Sequence, residues 1–418
     1  MNKNYIYFFL VITAVFITGC SKINENIKED FLSSDELSIA DLDTNFPVIN
    51  ITVNQAEFDN MYANDQDDIE IEGFLNLQRN TTPLIENELV EIEIKGGKSA
   101  TFNLKSLGVK FDDTFDNDDN VLLNPKTVLP HHSLEKIKAF RLRNSGNDFK
   151  ETMIKDISYT QLAIDAGLDM DLTYYEPAIV FINNNFFGLL NLRSEANTNG
   201  VSRLNDTKKK NITLAKINTP GEVEKKDGDF DRIDNFIKAI EDENLNYLKQ
   251  DIDISNFIDY MIFQSYNANI DWPYNNVRFY AIKDGPFRFV TFDLDLVNTR
   301  KIKDHPLDFI KYPSFFSKED AVENPITNLF NILYSDADFK TQFNNRYEQL
   351  LKDGAFSYDK FNSIIDKNFN AIHQFMPYQI DKYPDDISTL IDWYRNIELL
   401  KEDYKERERH IKTMMPLF

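Results

Sequence analysis

The chain has 418 residues, a formal net charge of −23 and 42% hydrophobic residues, with 34 Phe and 19 Tyr to fill a core. A surface this acidic repels nucleic acid and anionic membrane surfaces, so no nucleic acid is expected as partner. Cys20 is the only cysteine, which rules out disulfides and thiolate metal sites.

Residues 1–19 read as a secretory signal rather than as fold. Lys3 gives a positive start, Tyr5 to Ile17 is an apolar stretch too short to span a bilayer, and Ile17-Thr18-Gly19-Cys20 closes it as a lipobox. Cleavage would leave Cys20 as a lipidated N-terminus. The chain is then expected in a bacterial cell envelope, at the outer membrane or cell surface. Residues 20–45 are polar and acidic, with the composition of a flexible tether. From Phe46 onward the chain is long enough for one large two-lobed domain, and no internal repeat or second membrane-length apolar segment interrupts it.

Phe46 to Val53 alternates as a strand and Gln55 to Tyr62 suggests a short helix. Leu89 to Ile94 and Ala100 to Leu104 read as two strands joined by the turn Lys95-Gly96-Gly97-Lys98-Ser99. Its free backbone N–H groups suit phosphate oxygens, though the same residues make an ordinary β-turn. The acidic run Asp112 to Asn120 has the alternate spacing of a calcium loop. Val121 replaces the required Gly, however, and Thr127 the closing Glu, so a solvated loop is the better reading. Arg141-Leu142-Arg143-Asn144-Ser145-Gly146-Asn147-Asp148 precedes a predicted helix from Phe149 to Gly167, which Asn147 or Asp148 would cap. Arg143 has the planar fork to hold a carboxylate or a phosphate. Pro177 to Leu192 reads as a hairpin turning at Asn183-Asn184-Asn185.

Asn205 to Lys226 is a polar, lysine-dotted connector, and the lobe boundary is placed at 204–205. The β-rich lobe is thus 46–204 and the mainly helical lobe 205–418, an α+β architecture. Helices are expected at Phe230 to Ile240, Ser255 to Asn267, Ile326 to Tyr334, Phe339 to Lys352, Tyr358 to Phe375 and Ile387 to Met415. The five histidines are scattered without zinc spacing, and no Gly-x-Ser-x-Gly elbow marks a serine hydrolase.

The richest stretch is Asn269 to Asp295, NIDWPYNNVRFYAIKDGPFRFVTFDLD. Val277 to Ala281 and Phe287 to Phe292 are two strands around the turn Lys283-Asp284-Gly285-Pro286. The outer ends of a hairpin meet, so Asp271, Asn276 and Asp293 should face one cleft. Phosphoryl transfer asks for a carboxylate to accept the hydroxyl proton and oxygen ligands for magnesium. The residue types and their spacing suit that chemistry, and a capped turn with a strand-end Asp equally well.

Asn-Ile-Asp-Trp-Pro-Tyr-Asn-Asn, with an aromatic strand, a turn and Phe-Asp-Leu-Asp after it, resembles the signature of the CotH kinase family. These are atypical, kinase-fold proteins, abundant as Bacteroidetes lipoproteins. The resemblance extends to Gly96-Gly97-Lys98-Ser99 with Lys105-Ser106, to the Arg141 to Asp148 block, and to Arg193-Ser194-Glu195. It implies an extracytoplasmic, monomeric kinase that moves phosphate from ATP, with Mg²⁺, to Ser or Thr of a protein substrate. By the same resemblance Asp271 is the base and Asn276, Asp293 and Asp295 are the metal ligands. Lys105, Gly96, Ser99, Arg143 and Glu195 contact the nucleotide. Glu195 falls one residue later than the family's pattern, with Ser194 in its place. That displacement, and the scarcity of ATP outside the cytoplasm, favour the competing reading of an inactive kinase-fold surface protein that binds or scaffolds. A glycosidase pair of Asp271 and Asp293 is a third reading that nothing in the aromatic placement requires.

Overall fold

Twelve strands and a set of helices make up the chain in the computed structural model, which describes residues 33–111, 138–218, 222–297, 305–311 and 324–414. In chain order the strands are β1 (Val48–Val53), β2 (Glu70–Arg79), β3 (Thr82–Lys95), β4 (Ser106–Phe111), β5 (Ala139–Arg143), β6 (Asp171–Leu172), β7 (Tyr175–Ile182), β8 (Asn185–Arg193), β9 (Ile212–Asn218), β10 (Glu222–Asp227), β11 (Val277–Ile282) and β12 (Arg288–Thr291). Seven of them close a barrel in the order β1-β2-β3-β4-β5-β8-β7, sealed by parallel pairing of β1 with β7. The other five form a second sheet, β10-β9-β11-β12-β6.

Alternation decides which side chains enter the barrel. In β2, Ile71, Leu75 and Leu77 are buried while Glu70, Glu72 and Phe74 face solvent. β7 and β8 are instead buried on nearly every residue. The helix Lys155–Asp165 lies against β7 and the helix Met376–Lys382 against β8, so neither strand has a wet face. Asn183 and Asn184 take left-handed backbone (φ +50° and +65°), the geometry of the tight hairpin turn between them.

The structure departs from the sequence reading in several places. Part of the stretch expected as a tether is ordered: Ser34–Glu36 and Ile39–Asp41 are short 3₁₀ turns, and Leu37 and Leu42 are buried in the core. Ala100 to Leu104 is not a strand; Lys98–Thr101 is a short 3₁₀ turn. The carbonyls a ladder would use are taken by side chains: Asn144 Nδ2 donates to Ser99 O and Leu104 O, and Lys105 Nζ to Ala100 O. The lysine-dotted stretch 205–226 is not a connector, because β9 and β10 lie in it. β9 pairs with β11 from Ile212↔Ile282 to Val277↔Ile217, burying Ile212, Leu214 and Ile217. β6 comes before the 204–205 boundary yet pairs with β12 beyond it, and Ser33–Phe418 is one compact unit. The helix predicted from Phe149 begins only at Lys155. The Asp148 carboxylate accepts from the amides of Thr152 and Lys155, at 3.0 and 2.9 Å, so the capping role falls to Asp148 alone.

The later helices run Phe230–Glu241, Ile254–Asn267, Pro325–Tyr334, Ala337–Lys352, Tyr358–Ile372 and Leu390–Met414, close to expectation. Arg407 of the last helix is fully buried and donates to Ser265 O (2.9 Å) and Tyr266 O (2.7 Å). Those are orphan carbonyls at the end of Ile254–Asn267, the helix that leads into the Asp271 loop. The run 112–120, His131, His132 and Cys20 lie outside the described residues. No described helix is long and apolar enough to cross a membrane.

Candidate active site

The helix Ile254–Asn267 ends at Ala268, whose left-handed backbone (φ +52°) turns the chain back. Trp272 locks the loop beyond it: its indole is fully buried, donates to Tyr260 Oη at 2.9 Å and stacks on Phe309. Pro273 O accepts from Asn324 Nδ2 at 2.9 Å. The start of the loop meets the segment beyond β12, because Ile270 N donates to Leu296 O and Asn269 bridges Val297. That closure brings the two outer ends of the β11–β12 hairpin together. Asp271 Oδ2 then accepts from Asn275 Nδ2 (3.0 Å) and Asn276 Nδ2 (2.6 Å). Burial pushes the half-buried Asp271 carboxyl above the ordinary range, and the nearby Asp293 charge adds to the rise.

Around Arg143 lies a dense charge cluster. Its Nη2 donates to both Asp293 Oδ1 and, at 2.6 Å, Asp295 Oδ2, while its Nε lies 3.2 Å from Asp156 Oδ2. Asp295 is buried and also accepts from the Asn147 amide (2.9 Å) and Asn147 Nδ2 (3.2 Å). Asp156 accepts from Arg193 Nη1 (2.6 Å) and from the Leu294 amide (3.1 Å). Three carboxylates therefore share two guanidiniums, which leaves a surplus of negative charge. Burial would lower the Arg143 guanidinium pKa, but the three carboxylates outweigh it and raise it. Burial and the neighbouring Asp293 push Asp295 well up, and the pull of Arg143 does not reverse this. Gly146 makes the cluster possible: at φ +59°, a Cβ there would collide with Asp295 Oδ2 and Arg143 Nη2.

Asp271, Asn276, Asp293, Asp295 and Arg143 are thus brought together. The other expected residues are bonded elsewhere. Lys105 is buried, with Nζ at 2.5 Å from both Asp65 Oδ2 and Ala100 O and over the Tyr62 ring. Its carboxylate partner is Asp65 and not Glu195. Glu195 lies 3.9 Å from Arg141 Nε instead. Asn144, the neighbour of Arg143, ties the Gly96–Ser99 turn to the site by its bond to Ser99 O.

A sequence model of the family described as "CotH kinase protein" matches residues 92–411. The chain belongs to the CotH kinase protein family. The matched span holds Asp271, Asn276, Asp293, Asp295 and Arg143, and leaves β1 and β2 before it. No curated protein matches the chain. Similar solved structures include the Shewanella oneidensis MR-1 toxin–antitoxin system HipA, HipB and its operator DNA complex. That likeness has 11% identity and a TM-score of 0.29, covering 88% of this chain and 73% of that one. Another is the Helicobacter pylori proinflammatory kinase CtkA, with 13% identity and a TM-score of 0.25, covering 78% of this chain and 92% of that one. At such TM-scores neither likeness carries a mechanism across. The α+β architecture, β-rich in its N-terminal half and helical in its C-terminal part, is that of a CotH family member.

A CotH kinase relation implies ATP and Mg²⁺. Among the described residues no three His, Cys, Asp or Glu side chains form a ready metal cage. Magnesium is usually held by one or two carboxylates together with substrate phosphates, so a closed cage is not required. Asp293 is a hard oxygen donor that gives Oδ1 to Arg143 and keeps Oδ2 without a hydrogen-bond partner among the described residues. Asn276 donates through Nδ2 to Asp271, which leaves its carbonyl oxygen for a cation. The residues present fit the ion.

Sequence reasoning missed Asp156 and Arg278, and read Asn147 as a helix cap where it holds Asp295. Asp156 and Asn147 orient Arg143 and Asp295 by contacts across long sequence separations, and no local pattern announces them. Arg278 did carry a signal: a lone arginine within an otherwise apolar strand, VRFYAI.

Proposed function

We propose that this CotH family member is a kinase that transfers a phosphoryl group from ATP to a Ser or Thr hydroxyl of a protein, on the extracytoplasmic side of a bacterial envelope. The observation that carries the reading is the meeting of Asp271 with Asn276 and Asp293 at the mouth of the β11–β12 hairpin. Asp271, made more basic by burial and by Asp293, accepts the proton of the acceptor hydroxyl. Asn275 and Asn276 fix the carboxylate through its Oδ2. Asn276, Asp293 and Asp295 are the residues that would hold Mg²⁺, and Arg143 keeps Asp293 and Asp295 aligned. When bound, the ion neutralises phosphate charge. Calorimetry of ATP with Mg²⁺, beside the Asp293→Asn variant, tests the reading. Metal-dependent binding lost in the variant is expected, with transfer of labelled phosphate to protein; no binding at millimolar ATP overturns it.

The Lys105–Asp65 pair favours a second reading, a kinase-fold surface protein that binds or scaffolds without turnover. Such a protein tolerates Asp271→Asn and Asp293→Asn with its function intact. In either case Cys20 is the proposed lipid attachment point. Cys20→Ala is expected to release the protein from the membrane fraction, and retention there would remove the anchor from the proposal.

A further inference from the structure

Several arginines among the described residues hold a carboxylate within 3 Å: Arg79 with Glu176, Arg193 with Asp156, Arg232 with Asp251 and Arg346 with Asp259. Arg278 does not. It lies on β11, where Val277, Phe279 and Ala281 enter the main core and Arg278 is turned to the opposite face. Its guanidinium sits over the Phe292 ring, 4.5 Å from the centroid, and has no hydrogen-bond or ion-pair partner among the described residues. Beside it stands Arg141, on the outward row of β5 that also carries Arg143. Arg141 Nε is buried without a hydrogen-bond partner, and its ion-pair contact to Glu195 is a long 3.9 Å. Burial and the neighbouring Arg141 depress the Arg278 pKa to about 10, against the opposing pull of Glu195 and Asp293.

Two like charges thus lie near each other in a partly buried place, with no close ion pair to either among the described residues. Burying the Arg141 Nε without a hydrogen-bond partner is costly. A planar guanidinium left with free N–H groups is suited to a phosphate oxygen pair. The position fits as well, because Arg278 lies over Phe292, the neighbour of Asp293, and Arg141 shares its strand face with Arg143, which pairs with Asp293.

We propose that Arg141 and Arg278 form a phosphate-binding subsite beside Asp293, filling the role that Lys105, held by Asp65, does not. The proposal rests on the kinase reading for its preferred source, a nucleotide phosphate; a phosphorylated acceptor offers the same chemistry. Calorimetry on the purified protein with pyrophosphate, ADP, adenosine and a phosphoserine peptide separates these sources. Arg278→Gln and Arg141→Gln are each expected to weaken pyrophosphate and ADP binding about tenfold, as loss of a charge-assisted bond should. Adenosine binding stays unchanged, and Arg278→Lys falls between. If only the phosphoserine peptide shows the arginine dependence, the subsite stands and its ligand is the acceptor product.

Thermal unfolding of the ligand-free protein supplies a readout that a structural arginine would not give. Relieving the repulsion between Arg278 and Arg141 raises Tm in Arg278→Gln, whereas loss of a structural contact lowers it. A lowered Tm with unchanged affinity for every phosphate probe overturns the proposal. Phosphotransfer by the wild type with an unaltered ATP KM in Arg278→Gln also overturns it, and leaves the kinase reading intact. Arginine-dependent pyrophosphate binding without any phosphotransfer does the reverse.

Discussion

Two arginines in this protein each gather three aspartates, and the two clusters behave differently. Arg288 gives each partner its own edge: Nη2 to Asp169 at 2.8 Å, Nε to Asp171 at 3.0 Å and Nη1 to Asp253 at 2.5 Å. Those carboxylates keep some solvent, with side-chain exposures of 41%, 13% and 24%. Burial tends to raise Asp169, but its hydrogen bonds, Arg288 first among them, bring it below the ordinary range. Arg143 must instead share one nitrogen between Asp293 and Asp295, and Asp295 and Asp156 are nearly dry, at 1% and 3%. The same residue types make a satisfied fastener in one place and a frustrated, charge-rich site in the other. Composition does not tell them apart; the geometry of donors and the access of water do.

The largest effect that would sharpen this contrast is at Asp271, which the acidic surplus reaches through Asp293. Asp271→Asn is expected to cut kcat by about 10²–10⁴, the worth of a general base, while raising Tm at neutral pH. Proton linkage sets the sign. A carboxyl whose folded pKa is raised contributes stability that is lost as pH rises through that pKa, so its removal stabilises above it. A fall in Tm, or phosphotransfer at the wild-type rate, would show that Asp271 is an ordinary structural residue.

Next comes a direct contest between the two arginines. Arg143→Met strands buried carboxylates and is expected to cost about 3–5 kcal/mol in denaturant unfolding, with loss of activity. Arg288→Met leaves its partners to water and should cost only about 1 kcal/mol, with activity retained. Equal losses would erase the distinction between the clusters.

The smallest effect is in pH. The acid limb of the activity profile should lie above the ordinary Asp range near 4, because Asp271 protonates early as pH falls. Stability from Asp156, whose pKa its two arginines hold down against burial, persists above the unfolded value and is lost as pH falls through the folded one. Activity should therefore fail at a higher pH than the fold. Coincident midpoints would mean that both report the same unfolding.

Much of this arrangement was legible in the residues themselves. Period-two alternation marked β1, β11 and β12, and the turn Lys283 to Pro286 set the hairpin whose outer ends carry Asn276 and Asp293. Helical spacing placed the segments at 254–267 and 390–414 to within a few residues. Those signals are local, since strand period, turn chemistry and caps act over a few residues. What only the tertiary structure decided is which charges are neighbours. Asn144 drew off the carbonyls that would have made Ala100 to Leu104 a strand. β9 took ladder positions in a stretch whose lysines hid its apolar residues. Asp65 claimed Lys105, Asp156 came to Arg143 from a neighbouring helix, and Arg278 was left without a partner among the described residues. A side chain's charge is fixed by its covalent structure, but its partner is fixed by packing across long stretches of chain, and no local period records that choice.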